Sequence, residues 1–463
     1  MTKAERVRDP VHDLIEFGTD EFERQCWEII RTRPFQRLRR IKQLGFSELI
    51  YPGATHSRLS HSLGVFNTAR QLAAVVKNRR GAAFDAQAAN LAIAAALVHD
   101  VGHGPFSHAF EGALKALHIG QRHEVWTEKI ILETEVRTEL DKFVPMFAQK
   151  VAALFEHETP TDIYSSIVSS QFDADRLDYM RRDRLMTGTQ QSGIDFRWLI
   201  ANLEVDRVKV GQDGKFIREE ETFVLGRKAI MAAEGYVLGL FQLYPSVYFH
   251  KTTRGAEKLF TQLLIQVFKL VRSGGWAKTR LPKRHPLIRF AQDPSDLETY
   301  LELDDAVVWG ALCMLKESPL PAISGLATRL LERKVYKCVD ITREISRRAK
   351  EKFPREADIR RRLDASRKAE AKLRQLISER RLLSHKGKEP RLMADLAERN
   401  PYKLRKDDES SLNQIWAVSD DGLKDLGELS ATVRALEPFR AYRLYYRDDS
   451  AKKVVDDLLN EVM

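Results

Sequence analysis

The segment HDVGHGPFSHAF at residues 99–110 concentrates side chains that can bind a metal or move protons. It holds three histidines and one aspartate, and it follows the apolar run NLAIAAAL at residues 90–97. Imidazole nitrogens and carboxylate oxygens are good ligands for zinc, iron and manganese. Two interpretations stay open at this point: a metal site at the end of a buried helix, or a polar turn that is rich in histidine.

Two further segments carry side chains of the same kind. His61 lies in THSRLSHS at residues 55–62, one helical turn after Arg58. Asp175 lies in FDADRLDYMRRD at residues 172–183 and can complete a four-ligand set with His61 and the adjacent His99–Asp100 pair. The three segments together favour the metal site over the polar turn.

The segment at 172–183 also predicts a binding surface. On a helix, Arg176, Tyr179 and Asp183 fall within about 60° of one another. A cation, a phenol and a carboxylate on one stripe, beside a candidate ligand, indicate a wall of a binding site. A ladder of surface salt bridges is the alternative.

The elements that must position these residues are predicted to be helical along most of the chain. Apolar residues recur at helical spacing, and the first helical pattern stops at Gly45. The predicted helices cover residues 14–45, 57–78, 90–97, 172–186 and 259–273. We expect a β-hairpin around Gln212, Asp213 and Gly214, and a strand in FRAYRLYYRD at 439–448. The two prolines of KESPLPAISG predict a change of lobe near 315–330.

Composition narrows the class of protein. The chain has 463 residues, 43% of them hydrophobic, and no apolar run long enough to span a membrane. Its N-terminus lacks a signal-peptide pattern, and its three cysteines are far apart in sequence. We therefore expect a cytoplasmic protein without a disulfide framework, a zinc knuckle or a membrane partner.

The positive charge is concentrated in one stretch. Residues 343–406 contain 22 Lys or Arg against 10 Asp or Glu, whereas the whole chain carries a net charge of +10. The stretch is amphipathic, so a solvated helical face is one interpretation. A phosphate-rich partner, such as a nucleotide or weakly bound single-stranded nucleic acid, is the other.

The order His…His-Asp…Asp resembles that of HD-domain phosphohydrolases. The words DPVHDLIEF, YPGATHSRLSHSLGV, HDVGHGPFSHAFE and FDADRLDYMRRD are more specific, because in this order they resemble deoxynucleoside triphosphate (dNTP) triphosphohydrolases. The resemblance begins near residue 6, and we expect no SAM domain before Val7. It implies a mainly α fold: an HD-domain helical core at 1–320, and a smaller α+β C-terminal lobe with short strands at 321–463.

The resemblance implies a role for each matching residue. It implies the metal ligands His61, His99, Asp100 and Asp175. It implies the catalytic residues His103, Glu111, His123 and Glu124. It implies phosphate contacts from Arg58, His108, Arg176 and Tyr179, and sugar contacts from Gln43, Leu44, Asp183 and Tyr248. A histidine beside a carboxylate, as at His123–Glu124 or His103–Glu111, is expected to stay protonated and to serve as the acid for a poor leaving group.

Some positions depart from the family pattern. Arg8 and Arg31 stand where the family reads a guanine activator, and an arginine cannot accept hydrogen bonds from guanine. Leu240 aligns with an arginine that contacts the γ-phosphate, which leaves open whether the substrate must be a triphosphate. A possible activator or phosphate site is nevertheless implied by Gln36, Arg39, His250, Lys251, Arg333 and Lys337.

Three functions therefore compete. The first is a metal-dependent dNTP triphosphohydrolase, with Fe, Mn, Zn or Ni at the HD site and Mg or Mn accompanying the nucleotide. Its implied partners are a dNTP substrate, a nucleotide activator and further copies of the chain in a dimer or tetramer. The second is an HD-domain phosphohydrolase that acts on another nucleotide or phosphoester. The third is a non-catalytic nucleic-acid-binding protein.

Overall fold

The computed structural model describes residues 4–156, 159–191, 193–212, 215–383, 387–400, 402–403 and 411–463. Its secondary structure is mainly helical, which confirms the predicted fold class. In chain order the helices are α1 (Glu21–Arg31), α2 (Arg33–Arg37), α3 (Arg58–Arg80), α4 (Ala86–Val98), α5 (His108–Leu117), α6 (His123–Glu133), α7 (Glu135–Asp141), α8 (Phe147–Ala153), α9 (Ser165–Val168), α10 (Ala174–Thr187), α11 (Phe196–Ala201), α12 (Ile230–Leu243), α13 (Lys251–Arg272), α14 (Pro286–Gln292), α15 (Leu297–Leu301), α16 (Asp305–Leu315), α17 (Pro321–Leu331), α18 (Ile341–Lys352), α19 (Ile359–Glu379), α20 (Leu426–Leu429), α21 (Ala431–Arg434) and α22 (Asp449–Val462).

The strands form three small sheets. In chain order they are β1 (Glu5–Asp9), β2 (Asp13–Phe17), β3 (Leu203–Gln212), β4 (Lys215–Leu225), β5 (Lys337–Asp340), β6 (Leu392–Arg399), β7 (Trp416–Ser419), β8 (Gly422–Asp425) and β9 (Phe439–Tyr446). The sheet orders are β1-β2, β3-β4-β7-β8 and β5-β9-β6, and only the β4–β7 pair is parallel among these ladders. The predicted hairpin is therefore β3–β4, although Asp213 and Gly214 of its turn lie outside the described residues.

The chain divides into two compact units. The first contains residues 1–107, 121–243 and 400–437, and the second contains residues 108–120, 244–399 and 438–463. The predicted boundary at 320–321 falls within the second unit, just before α17. As a functional division of the chain it stays a prediction.

Three helices of the first unit carry the candidate ligands, and each begins at a side-chain cap. Ser57 caps α3, Asp85 caps α4 and Asp173 caps α10, in each case by accepting a hydrogen bond from a backbone N–H of the first turn. Helix α4 is rich in alanine and almost wholly buried after its first turn. The predicted helices at 57–78, 90–97 and 172–186 are thereby confirmed.

The prediction of one helical pattern over 14–45 is wrong in its first part. Residues Asp13–Phe17 form β2, which pairs antiparallel with β1. Ile15 and Phe17 are buried while the alternate residues face outward, so the period is that of a strand. Helix α1 starts only at Glu21, after the Asp20 cap.

The second unit contains residues 343–399 of the basic stretch. About half of the stretch forms α18 and α19, where Arg347 and Arg348 pair with Glu344 and Lys368 pairs with Asp364 at helical spacing. Such pairs are typical of a solvated helical face. Weak nucleic-acid binding by this stretch stays a prediction. In the part of the chain that the structure describes, no helix has the length and hydropathy needed to cross a membrane.

Candidate metal centre and active site

The four predicted metal ligands lie together in the first unit. His61 comes from α3, His99 and Asp100 follow α4, and Asp175 comes from the first turn of α10. The Nε2 atom of His61 is 2.9 Å from Asp175 Oδ1, and the Nε2 atom of His99 is 3.4 Å from Asp100 Oδ1 and 3.8 Å from Asp175 Oδ1. Ligands about 2.0–2.2 Å from one metal ion are separated from each other by about 3.0–3.4 Å. His61, His99 and Asp175 therefore offer ligand atoms close enough together to hold one metal ion, and Asp100 lies beside His99.

The hydrogen bonds of the two histidines support the same conclusion. His99 Nδ1 lies 2.8 Å from the Ala96 carbonyl oxygen and His61 Nδ1 lies 2.8 Å from Asp178 Oδ2, so both rings donate from Nδ1. Both Nε2 atoms are buried and make no hydrogen bond of acceptable geometry within the described residues. An imidazole held in this tautomer offers the Nε2 lone pair to a metal.

The charges around the ligands favour a cation as well. Burial opposes the charged form of His61, but the carboxylates of Asp175 and Asp178 outweigh it and raise the pKa of His61 to about 10. A metal requires the neutral ring, so binding it releases a proton from His61. Burial likewise opposes ionisation of Asp100, yet Arg58 and His99 lower the pKa of Asp100 well below its usual range.

Arg58 holds a ligand in place. Its side chain is buried, its Nη1 atom donates to Asp100 Oδ2 at 2.5 Å, and its Nε and Nη2 atoms donate to Ser107 Oγ at 3.0 and 2.8 Å. The guanidinium is thus engaged with a metal ligand and a hydroxyl group. Its predicted contact with substrate phosphates stays a prediction.

Two candidate catalytic histidines stack beside the ligand set. The ring centroids of His103 and His123 are 3.9 Å apart at an interplanar angle of 17°, and His103 Nε2 is 3.2 Å from Asp100 Oδ1. Gly102 makes this possible, because a Cβ there would overlap the His123 carbonyl and the Thr127 backbone nitrogen. Burial, Arg58 and His123 lower the pKa of His103 well below its usual range. The lowered pKa disfavours a protonated His103 even though Asp100 lies beside it, and the catalytic role of His103 stays a prediction.

The carboxylates predicted to assist catalysis have other neighbours. Glu124 Oε1 accepts from Arg122 at 2.9 Å, while its Oε2 atom is 3.4 Å from His123 Nδ1. Glu111 belongs to the second unit, where its Oε2 atom is 3.3 Å from His108 Nδ1. Their catalytic roles stay predictions.

The predicted stripe on α10 does not form one open wall. Arg176 and Tyr179 are half-buried, whereas Asp183 is 1% exposed and its Oδ1 atom lies 2.8 Å from His56 Nε2. His56 also accepts a hydrogen bond at its carbonyl oxygen from the Gln43 backbone at 3.0 Å, so it links the two residues predicted to hold the sugar. The Gln43 Oε1 atom is buried without a hydrogen-bond partner among the described residues.

The remaining sequence-predicted residues divide between the units. In the first unit, Leu44 is half-buried, Leu240 is buried in α12, and Arg39 Nε donates to Gln36 Oε1 at 2.7 Å. In the second unit, Tyr248 lies in a π-helical turn and stacks edge-on with Tyr244, and His250 caps α13. Lys251 opens that helix, and Arg333 and Lys337 are exposed.

Sequence reasoning missed the residues that support His61. Asp178, Arg182, His12 and Asp9 form a buried network behind its ring. The sequence of α10 could have indicated part of this network, because Asp175, Asp178 and Arg182 are spaced three and four residues apart and so share one helix face.

Comparison with known proteins agrees with this site. The HD domain model matches residues 58–180, which contain all four ligands. Uncharacterized protein YwfO of Bacillus subtilis is 35% identical over 341 residues, 73% of this chain and 73% of that protein. Deoxynucleoside triphosphate triphosphohydrolase SAMHD1 of Danio rerio is 24% identical over 377 residues, 72% of this chain and 55% of that protein. A crystal structure of a phosphohydrolase from Bacteroides thetaiotaomicron has the same fold, with a TM-score of 0.70 at 24% identity over 96% of this chain and all of that one.

A helical core with a histidine and aspartate ligand set defines a metal-dependent hydrolase of the HD superfamily. The chain belongs to the HD-domain phosphohydrolase family.

Proposed function

We propose that this phosphohydrolase cleaves dNTPs to a deoxynucleoside and inorganic triphosphate. The observation that carries the proposal is the ligand set lying next to the stacked His103–His123 pair in one unit. The name of the Danio rerio relative supports the substrate class.

The chemistry assigns a task to each group. A divalent metal, when bound by His61, His99, Asp100 and Asp175, acidifies water and polarises a phosphoryl oxygen. The water oxygen bonds to the α-phosphorus while the bond from phosphorus to the 5′-oxygen breaks, and the water's proton passes to solvent. The departing 5′-oxygen takes a proton from His123, which is later replenished from solvent. Because Nδ1 of His123 faces Glu124, we propose that Nε2 of His123 donates the proton to the 5′-oxygen.

The sugar contacts deepen the proposal. The buried Gln43 Oε1 atom can accept a hydrogen bond from the 3′-hydroxyl, and satisfying it removes the cost of an unpaired acceptor. Asp183 is tied to the same segment through His56. Leu44 follows Gln43 and is proposed to fill the space of a 2′-hydroxyl. A sugar contact from Tyr248, which belongs to the second unit, stays a prediction. Arg176, Tyr179, His108 and Arg58 are the proposed phosphate contacts.

The test is a product assay with the four dNTPs and the four ribonucleotides (NTPs), with Mn²⁺ or Mg²⁺. Triphosphate release from dNTPs, with slower release from NTPs, is the expected result. Release of phosphate or pyrophosphate, or equal rates with both sugars, would contradict the proposal. Leu240 favours a second candidate, because a buried leucine on α12 offers no charge to a γ-phosphate. That candidate is hydrolysis of another nucleotide or phosphoester, and it predicts turnover of substrates without a triphosphate.

We also propose a homo-oligomer, a dimer or tetramer, that binds an activating nucleotide through Gln36, Arg39, His250, Lys251, Arg333 and Lys337. Arg8 donates to Asp13 at 2.8 Å and Arg31 donates to Glu28 at 3.2 Å, and neither guanidinium can accept a hydrogen bond from guanine. We expect GTP, dGTP, ATP and dATP to activate comparably, or no activator to be needed. Strict dependence on GTP would contradict this and would point to Asp13, the carboxylate beside Arg8.

A further inference from the structure

Asp178 is fully engaged in orienting the metal ligand His61. Its Oδ2 atom accepts from His61 Nδ1 and Arg182 Nε, each at 2.8 Å. Its Oδ1 atom accepts from His12 Nε2 at 2.7 Å and from Arg182 Nη2 at 3.0 Å. A carboxylate has about four lone-pair sites, so every one of them is used. Helix α3 has Gly64 at this point, and a Cβ there would overlap both Asp178 and Arg182.

The tautomer of His12 follows from its neighbours. The amide nitrogen of Asn67 is 3.0 Å from His12 Nδ1, and an amide nitrogen only donates. The Nδ1 atom therefore accepts, and Nε2 carries the proton that is donated to Asp178. His12 is thus a fixed donor to Asp178 Oδ1, while His61 donates to Asp178 Oδ2.

The same network is fastened to the turn between β1 and β2. Arg182 donates from Nη1 and Nη2 to Asp9 at 2.7 and 3.2 Å, and Asp9 is buried. The backbone nitrogens of Val11 and His12 donate to Asp9 Oδ1 at 2.9 and 3.0 Å. Asp9 therefore fixes both the shape of the turn and the arginine that holds Asp178.

We propose that the β1–β2 turn supports the metal site indirectly. His12 is a positioning residue that acts on His61 through Asp178. The turn contributes orientation to the metal ligand. It locks Asp178, and hence the His61 ring, in one orientation. The proposal rests on metal dependence and not on the identity of the nucleotide.

The test measures metal binding without substrate. Wild-type protein and the variants His12→Ala, His12→Gln and Arg6→Ala are stripped of metal and titrated with Co²⁺, whose visible absorption reports ligand geometry. Arg6 is a matched control because it lies on the same hairpin and, among the residues that the structure describes, pairs with exposed Glu16 alone, at 2.6 Å. We expect His12→Ala to weaken Co²⁺ binding by about 10–100-fold, the usual effect of losing an outer-shell partner. We expect Arg6→Ala to match the wild type.

Rescue separates positioning from general stability. A glutamine amide reaches the position of Nε2 and can donate to Asp178, so His12→Gln is expected to restore most of the affinity and the wild-type absorption spectrum. If His12→Ala does not fold, Asn67→Ala is the substitute, because it frees His12 to rotate and is expected to weaken Co²⁺ binding several-fold. Affinity within twofold of the wild type in the alanine variant, equal loss in Arg6→Ala, or no rescue by glutamine would each overturn the proposal. Failure of the dNTP assay would leave these measurements unaffected.

Discussion

Each unit of the molecule buries an aspartate that is held by an arginine fork. In the first unit, Asp178 accepts from Arg182; in the second, Asp395 on β6 accepts from Arg254 of α13 at 3.0 and 2.5 Å. Both side chains have no exposed surface. In both cases burial opposes ionisation, and nearby cations nevertheless lower the pKa of the carboxyl group.

The two networks differ in the groups that lie at their ends. Lys258 pairs with Asp395 at 3.1 Å, and Arg254 also donates to Glu257 at 2.8 Å. In these four described side chains, every buried nitrogen and oxygen atom has a hydrogen-bond partner. Around Asp178, the network ends in His61, whose Nε2 atom lies 2.9 Å from Oδ1 of Asp175, another candidate ligand. A buried ion network is therefore not by itself a sign of function. The group of candidate ligand atoms at the end of the Asp178 network is what distinguishes it.

The largest expected effect is loss of the metal. Replacing His61, His99, Asp100 or Asp175 with alanine is expected to remove bound metal and abolish phosphohydrolase activity. Metal content and product release are measured on each purified variant, with Asp395→Asn as a control that keeps both. Full metal occupancy and activity in any two of the four alanine variants would show that the ligand assignment is wrong.

Loss of the proposed proton donor has the next largest effect. His123→Ala is expected to retain metal and nucleotide while kcat falls by about 10²–10⁴-fold, the usual contribution of a positioned acid. The kcat and KM values and metal content are measured together. A rise in KM with unchanged kcat would make His123 a binding residue. His103 would be a poor replacement, since burial and nearby cations disfavour its charged form.

The comparison also explains what the sequence could predict. The candidate ligands His61, His99, Asp100 and Asp175 could be selected from the sequence because their types are chemically distinctive and their order matches a family. Asp178 and Arg182 were missed because the helix also offered the stripe of Arg176, Tyr179 and Asp183, and only packing against α3 decides which stripe is buried. The network of Asp395 joins α13 to β6, residues far apart in sequence, so no local pattern predicts it.

The prediction of secondary structure shows the same limit. Long helices such as α3 and α10 were predicted because many turns repeat one periodicity and a polar cap precedes the first turn. Strand β2 spans five residues, too few to distinguish a period of two from a period of 3.6. For this reason, the sequence did not predict the turn between β1 and β2 that supports Asp178.

A smaller effect is a loss of stability that the two networks share, and Co²⁺ affinity is expected to separate them. Asp395→Asn is expected to lower the free energy of unfolding by about 3 kcal/mol, because it leaves Arg254 and Lys258 partly uncompensated. Asp178→Asn is expected to lose similar stability and, in addition, Co²⁺ affinity. Urea unfolding of metal-free protein and Co²⁺ titration are compared for both. Weakened Co²⁺ binding in Asp395→Asn would remove the distinction between a structural and a site-supporting network.

The smallest expected effect concerns sugar selection at Leu44. This residue lies between Gln43, whose buried oxygen is available to a hydroxyl group, and Gly45, whose φ of +51° fixes the backbone direction. If the leucine side chain fills the space of a 2′-hydroxyl, Leu44→Gly should raise the rate with NTPs relative to dNTPs by about 10-fold, in the range that a hydrophobic contact can supply. Leu44→Ala should shift the ratio in the same direction but less, which separates lost volume from added backbone freedom. The kcat/KM values for one dNTP and its ribonucleotide are measured in all three proteins. An unchanged ratio in both variants would show that Leu44 does not face the sugar, and the discrimination would then have to come from elsewhere in the pocket.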